Sequence, residues 1–173
     1  NVGIKVEDGN GGSATQTFSL AVQNVNDNPV ITSTPKTTAT EDSLYSYVLT
    51  ATDPDPTKDT LSYRLVSGPA GMSIDASSGL LRWTPDNSDA VKKNHSVTVE
   101  VNDGKGGKGT QTFTLTVVNA NDPPVVTSTP LTGAVVGKIY QYDVNATDPD
   151  PSGDTLTYKL TTSPKGMTIN AST

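Results

Sequence analysis

Carboxylates recur in this chain where strands are expected to end. Asp53 and Asp55 stand in Ala51-Thr52-Asp53-Pro54-Asp55-Pro56, Asp59 follows four residues later, Asp103 lies in Asn102-Asp103-Gly104-Lys105-Gly106-Gly107, and Asp27 lies in Asn24-Val25-Asn26-Asp27-Asn28-Pro29. In a β-sandwich the loops joining alternate strand ends gather at one pole. These carboxylates are therefore expected to meet at the pole next to the Asn24-to-Pro29 stretch. Clustered carboxylate and carbonyl oxygens suit Ca²⁺, which takes about six to eight oxygen ligands and tolerates irregular geometry. Asn26 and Asn28 can add amide or backbone oxygen. Both motifs also have a structural reading: Asp-Pro-Asp-Pro makes a turn unaided, since Asp bonds its own backbone and Pro fixes φ, and Asn-Asp-Gly is a hairpin turn.

Other chemistry finds less support. His95 is the only histidine, has no partner motif and reads as a loop residue, and no Gly-x-Ser-x-Gly nucleophile setting occurs. The Asp pairs sit in turns at domain ends, not in the deep cleft a glycosidase needs, so no enzyme is expected. Trp83 beside Pro85 could be a sugar platform, but a lone Trp in a small β-module is better read as packing. With 18 Asp and Glu against 12 Lys and Arg, a net charge of −6 and no basic run, nucleic acid is not an expected partner. Zero Cys excludes disulfides and thiolate metal sites. There is no apolar run long enough to span a membrane and no signal peptide or lipidation motif. A Thr-, Asn-, Asp- and Gly-rich chain suits a secreted microbial surface protein.

The elements that must position these residues follow from a repeat. Asn24-Val25-Asn26-Asp27-Asn28-Pro29 returns 95 positions later as Asn119-Ala120-Asn121-Asp122-Pro123-Pro124; residues 26–78 match 121–173 at about 29 of 53 positions, and 1–25 match 96–120 at about 13 of 25. That period is long enough for a small domain with its own core. The expected division is a final hairpin of one repeat over 1–25, a complete repeat over 26–120, and the first part of another over 121–173. Both ends then fall inside a repeat, as in a piece of a longer array. The two Asn/Asp/Pro stretches become junctions.

Within the complete repeat, period-2 alternation predicts strands at Val30-Ile31, Tyr45 to Thr50, Leu61 to Leu65, Met72 to Ile74, Leu80 to Thr84, and a hairpin of Val97, Val99, Val101 with Phe113, Leu115, Val117. Ala51 to Pro56 and Pro85 stop strands. Residues 1–25 predict the same hairpin, with Val2, Ile4, Val6 against Phe18, Leu20, Val22 and one buried face. About seven strands with turn signals every 8–12 residues is the pattern of an immunoglobulin-like sandwich. No 3.6-residue period is sustained, so helix content is expected near zero. The expected core is Tyr47, Leu49, Leu61, Met72, Ile74, Val99, Val101, Phe113 and Leu115. The hairpin of 1–25 cannot bury its face alone and should pack on the middle repeat or replace missing strands of residues 121–173 in another copy.

The tyrosine-rich strand, Ala-Thr-Asp-Pro-Asp at 51–55, Thr-Leu-Ser-Tyr at 60–63, Ile-Asp-Ala-Ser-Ser-Gly-Leu at 74–80, Val-Asn-Asp-Gly at 101–104 and Asn-Ala-Asn-Asp-Pro-Pro at 119–124 together resemble the cadherin repeat. Gly-Pro-Ala-Gly-Met at 68–72 and Leu-Arg-Trp-Thr-Pro at 81–85 are similar to the dystroglycan-type, immunoglobulin-like branch of microbial surface proteins. The resemblance covers the whole chain. It implies an all-β fold of tandem Greek-key sandwiches, with Asp53 and Asp55 as an Asp-x-Asp ligand pair, Asp103 as a further ligand, and Asn26, Asp27 and Asn28 as linker ligands. It also implies that Glu41 reaches the next junction. Asn24 and Asn119 replace the linker's first Asp, Pro123 replaces its last Asn, and the family's Leu-Asp-Arg-Glu motif is absent, with Asp86 and Asp89 near its place.

The second junction is expected to gather Asn121, Asp122, Asp148, Asp150, Asp154 and Glu41. Glu41-Asp42 becomes Val136-Gly137 in the third repeat, so ion affinity should vary along the array. The expected function is a Ca²⁺-stiffened spacer or adhesive stalk of a large extracellular or cell-surface protein. Its partners would be neighbouring repeats and a cell-surface glycan or protein. The alternative is a carbohydrate- or matrix-binding module using Trp83 or exposed tyrosines.

Overall fold

The computed structural model describes residues 1–56, 59–151 and 153–172. Strands β1 (Val2–Glu7) and β2 (Ser13–Phe18) form an antiparallel hairpin that pairs Val2 with Phe18 and Glu7 with Ser13. The middle stretch contributes β3 (Val30–Ile31), β4 (Thr38–Thr40), β5 (Tyr45–Val48), β6 (Ala51–Thr52), β7 (Ser62–Ser67), β8 (Ser73–Ile74), β9 (Leu80–Trp83), helix α1 (Asn87–Lys92), β10 (Asn94–Asn102) and β11 (Lys108–Val118). Beyond it lie β12 (Val125–Val126) and β13 (Ala146–Thr147).

One sheet of the sandwich runs β4-β11-β10-β7 and the other β5-β9-β8, with β3 and β6 paired beside them. Crossing from β7 to β10 through the second sheet makes the topology a Greek key, and β4 joins the edge of β11 in parallel. The reason for the two layers is alternation: Val97, Val99 and Val101 of β10, Leu115 and Val117 of β11, Tyr45 and Tyr47 of β5, and Leu81 and Trp83 of β9 are all buried. Each fully buried aliphatic side chain contributes roughly 1.5–3 kcal/mol. The two buried phenols keep their hydroxyls bonded, Tyr45 donating to the Lys36 carbonyl at 2.8 Å and Tyr47 meeting Ser33 and Gln111. Burial, with Tyr47 nearby, pushes the Tyr45 hydroxyl pKa up to about 12.

Of the expected core, Tyr47, Leu49, Met72, Val99, Val101 and Leu115 are buried, Ile74 and Phe113 are half-buried against it, and Leu61 is only partly buried just ahead of β7. Three expectations need correction. Ala51-Thr52 does not merely end the β5 strand; it is β6, which leaves the β9 partner and pairs with Val30-Ile31. Helix content is near zero as expected, with the six-residue α1 capped because the Asp86 carboxylate accepts Ser88 and Asp89 N–H groups while Asp89 Oδ2 accepts the Asp86 N–H. His95 is no loop residue: it lies in β10, 2 % exposed, with Nε2 on the Asp89 carbonyl at 3.0 Å and its ring edge-on to Trp83 at 5.1 Å. Finally, the β1–β2 hairpin ends at Phe18 and buries no face, leaving Val6, Phe18, Leu20 and Val22 exposed.

Residues 121–173 repeat the local bonds of the middle stretch with little of its pairing. Val125 faces Thr147 as Val30 faces Thr52, Ser128 meets Tyr142 at 2.6 Å as Ser33 meets Tyr47, and Tyr140 donates to the Leu131 carbonyl at 2.8 Å as Tyr45 does to Lys36. Equivalents of β9, β10 and β11 are not among these residues, so Val135, Val136 and Ile139 stay exposed.

Leu81 is fully buried between the sheets. Leu81→Ala should destabilise the sandwich by about 2–5 kcal/mol, read from urea unfolding followed by the fluorescence of Trp83, the single and buried tryptophan. A loss below about 1 kcal/mol would mean that the two sheets are not held together at this layer.

Candidate metal centre

At the first junction the linker lies against the turn that ends β6. The Asp27 N–H donates to Asp55 Oδ2 at 3.1 Å, Asn24 Nδ2 to Asp55 Oδ1 at 3.0 Å, and the Asp55 N–H to Asp53 Oδ1 at 2.9 Å. Carboxylate oxygens of Asp53, Asp55 and Asp59 lie within 4.8 Å of one another. The β10–β11 turn comes alongside: Asn26 Nδ2 donates to Asp103 Oδ2 at 2.8 Å, and Asp103 Oδ1 accepts the Lys105 and Gly107 N–H groups. Gly107 is required here, because a Cβ would sit 2.1 Å from Asp103 Oδ2 and 2.8 Å from the Asp27 carbonyl. Asn28 Oδ1 accepts the Lys108 N–H at 3.0 Å, so the structure gives it a linker-pinning partner. Lys105 Nζ is 2.5 Å from Asp59 Oδ1. Asp53 Oδ2 is buried without a hydrogen-bond partner.

The second junction repeats the linker contact. The Asp122 N–H donates to Asp150 Oδ2 at 3.1 Å, the Asp150 N–H to Asp148 Oδ1 at 3.0 Å, and Asn121 Nδ2 to the Asp122 carbonyl as Asn26 Nδ2 does to Asp27. Asp148, Asp150 and Asp154 form one set of oxygens within 4.8 Å, and Glu41, Asp42 and Asp122 another. Glu41 arrives there because its N–H donates to the Val118 carbonyl at 2.9 Å, extending the β4–β11 pairing to the root of the linker. Its side chain is 1 % exposed; Oε2 accepts the Ala120 N–H at 3.2 Å and Oε1 is buried with no donor.

Two further oxygens share that condition. Asn119 Oδ1 and Asn87 Oδ1 are buried and unpartnered, while Asn87 Nδ2 donates to Asp122 Oδ2 at 2.7 Å. Buried acceptors without donors are costly, and a hard cation satisfies several at once. The donor set of carboxylate and amide oxygen, without sulfur or imidazole, fits Ca²⁺ and not zinc.

The structure places Asp53, Asp55 and Asp59 together at the first junction, with Asp27 joined to Asp55 through its backbone N–H, Asp103 held by Asn26 and Asn28 bound to the Lys108 N–H; at the second it places Asp148, Asp150 and Asp154 in one set and Glu41 with Asp122 in another, with Asn121 on the linker. Sequence reading missed Asn87 and Asn119. Asn119 was visible as the linker residue standing where an Asp is expected; Asn87 carried no signal, because its placement depends on α1.

Comparison with known proteins bears on the family and the fold. A family described as "Putative Ig domain" matches residues 28–118 and again residues 123–173. The chain belongs to this family. Its Ig-family sandwich is similar to the protocadherin gammaB4 extracellular domain (19% identity, TM-score 0.51, covering 93% of this chain and 31% of that one). It is also similar to a protocadherin gammaB7 EC3-6 cis-dimer structure (18% identity, TM-score 0.55, covering 93% and 46%). The chain thus spans less than half the length of these structures, and at such identity the likeness concerns the fold. No curated protein matches significantly.

In this Ig-family chain Asp103 and Glu41 are shifted in opposite directions. Hydrogen bonds from Asn26, then from the Lys105, Gly107 and Gly106 amides, hold Asp103 below the usual 3.8 against the effect of burial. Burial first, then Asp122, Asp42 and Asp150, push Glu41 above its usual 4.5 although the Ala120 N–H opposes them. A raised carboxyl contributes stability that is present below 4.5 and lost as pH rises through the folded-state value. In a chelating buffer Glu41→Gln should therefore raise the unfolding free energy at pH 7, with the gain shrinking toward pH 4. Destabilisation at pH 7 in chelator would mean that the buried charge is already compensated within the protein.

Proposed function

We propose that this chain is part of a tandem array of cadherin-like sandwiches in an extracellular or cell-surface protein, serving as a spacer or adhesive stalk whose junctions are stiffened by Ca²⁺. The repeats are 26–120, complete, flanked by the last hairpin of one over 1–25 and the first part of another over 121–173. The observation that carries the reading is Glu41: a buried carboxylate from one repeat, one oxygen unpartnered, beside the linker and the Asp pair of the next. Glu41, Asn87, Asn119, Asp122, Asp150 and Asp148 would hold the ion at the second junction, and Asn26, Asp27, Asp53, Asp55 and Asp103 at the first.

The core of the middle repeat is apolar and complete without metal, so the ion governs the angle between repeats more than the fold of each. Two carboxylates about 4 Å apart repel by roughly 1 kcal/mol in bulk water and roughly four times that near a protein surface. A divalent ion reverses this local field. Affinities of extracellular modules lie around 10⁻⁴–10⁻³ M, so occupancy would follow the surrounding calcium. Pro123-Pro124 limits the looseness of the calcium-free state. The buried His95, and acidic groups lying at loop ends instead of in a cleft, support a non-enzymatic role. The sugar-platform alternative loses its residue, since Trp83 is 2 % exposed and donates its Nε1–H to the Ala70 carbonyl at 3.1 Å.

Small-angle scattering of two complete repeats should give a longer maximum dimension and lower flexibility in millimolar calcium than in EDTA. Equal profiles would sink the calcium hinge and leave a proline-stiffened spacer. The exposed Ile4, Val6 and Phe18, with Leu131, Val135, Val136 and Ile139 exposed beyond the second junction, also support strand exchange between copies. Sedimentation velocity of the 173-residue chain should then reveal concentration-dependent association, and a monomer at all concentrations would remove that idea.

A further inference from the structure

At the first junction the protein balances part of its own charge with one side chain. Lys105 sits at the tip of the β10–β11 turn, where its N–H donates to Asp103 Oδ1 at 2.7 Å, so its backbone is fixed beside one carboxylate of the first junction. Its ammonium turns back onto another, 2.5 Å from Asp59 Oδ1, and feels Asp55 and Asp103 as well. Asp59 keeps only 7% of its side chain exposed and shares a 4.8 Å oxygen cluster with Asp53 and Asp55. A tethered monovalent cation thus lies among the oxygens that would coordinate a divalent one.

The turn itself does not ask for lysine. Asn10 holds the equivalent place 95 residues earlier, and there the Asn10 and Gly12 N–H groups cap Asp8 Oδ1 at 2.8 Å just as those of Lys105 and Gly107 cap Asp103. Asparagine therefore serves this turn as well as lysine does, and the charge at 105 is not required by the hairpin's own bonds.

We propose that Lys105 is a built-in counter-cation that occupies one cation position at the 24–28 junction, so that this junction takes fewer divalent ions, or takes them more weakly, than its carboxylates alone would allow. This rests on the calcium reading above. The lysine stem is about half exposed (49%), so the ammonium can swing into solvent, and calcium competes with it instead of being sterically excluded. Asp53 Oδ2 is buried and unpartnered, and remains available as a further ligand. In calcium-poor surroundings the first junction then keeps part of its neutralisation through the Lys105–Asp59 pair.

Calcium binding to the 173-residue chain, measured by calorimetry and by equilibrium dialysis with metal analysis, separates the possibilities. Lys105→Asn, which installs the residue of the first hairpin, and Lys105→Met, which removes only the charge, should each bind one additional ion per chain or bind about tenfold more tightly. Lys105→Arg should behave as the parent, and Trp83 fluorescence should report an unchanged fold throughout. If the parent binds calcium and neither Asn nor Met alters number or affinity, Lys105 is only a turn residue and the calcium reading stands. Binding that emerges only after the charge is removed supports the proposal. If parent and all variants bind nothing at several times about 1 mM, both readings fall.

Discussion

A backbone amide of each linker donates to a carboxylate of the following repeat, and both junctions depend on that bond. Asp27 gives its N–H to Asp55 and Asp122 gives its N–H to Asp150. An ionised acceptor makes such a bond stronger than a neutral one, and it fixes the linker against the turn that ends β6 or β13. The same ionisation has a cost. Asp53 or Asp148 must stand directly behind to receive the next N–H, so the linker is held by groups that repel one another. Charge of one sign thereby accumulates where two repeats meet, and the rest of the site is a response to it.

The responses differ between the junctions. At the first, Asn24 and Asn26 donate to Asp55 and Asp103, and Lys105 pairs with Asp59. At the second, Asn87 supplies one donor to Asp122, but the buried Glu41 brings another negative group and leaves an oxygen unpartnered. Burial, with Asp122, Asp42 and Asp150 nearby, displaces the Glu41 carboxyl upward, while the hydrogen bond from Asn26 displaces that of Asp103 downward. The sandwich leaves such charge to its poles, because Val97, Val99, Leu81 and Leu115 hold the sheets together in the core.

Helix α1 ties the two regions. Its capping box forms from Asp86 and Asp89, the Asp89 carbonyl meets His95 in the core, and Asn87 on its first turn reaches Asp122 of the linker. A six-residue helix has little stability of its own. Its Asp89 carbonyl on His95 and its Ala90 in the core supply what propensity does not, and so place the Asn87 amide at the junction.

What the chain's sequence determined by itself was whatever is local or repeated. The 95-residue period, the alternation of Val97, Val99 and Val101, the proline stops and the Asp-rich turns each state their role within a few residues, and the gathering of Asp53, Asp55 and Asp103 followed from sandwich geometry. The tertiary structure decided the rest. The switch of sheet between Val48 and Ala51 depends on where β3 lies, the burial of His95 on Trp83 and α1, and the roles of Asn87, Asn119 and Lys105 on distances across the fold. Local sequence cannot express these, because an amide or an ammonium becomes a ligand, a cap or a counter-charge according to which distant carboxylates the completed packing brings beside it.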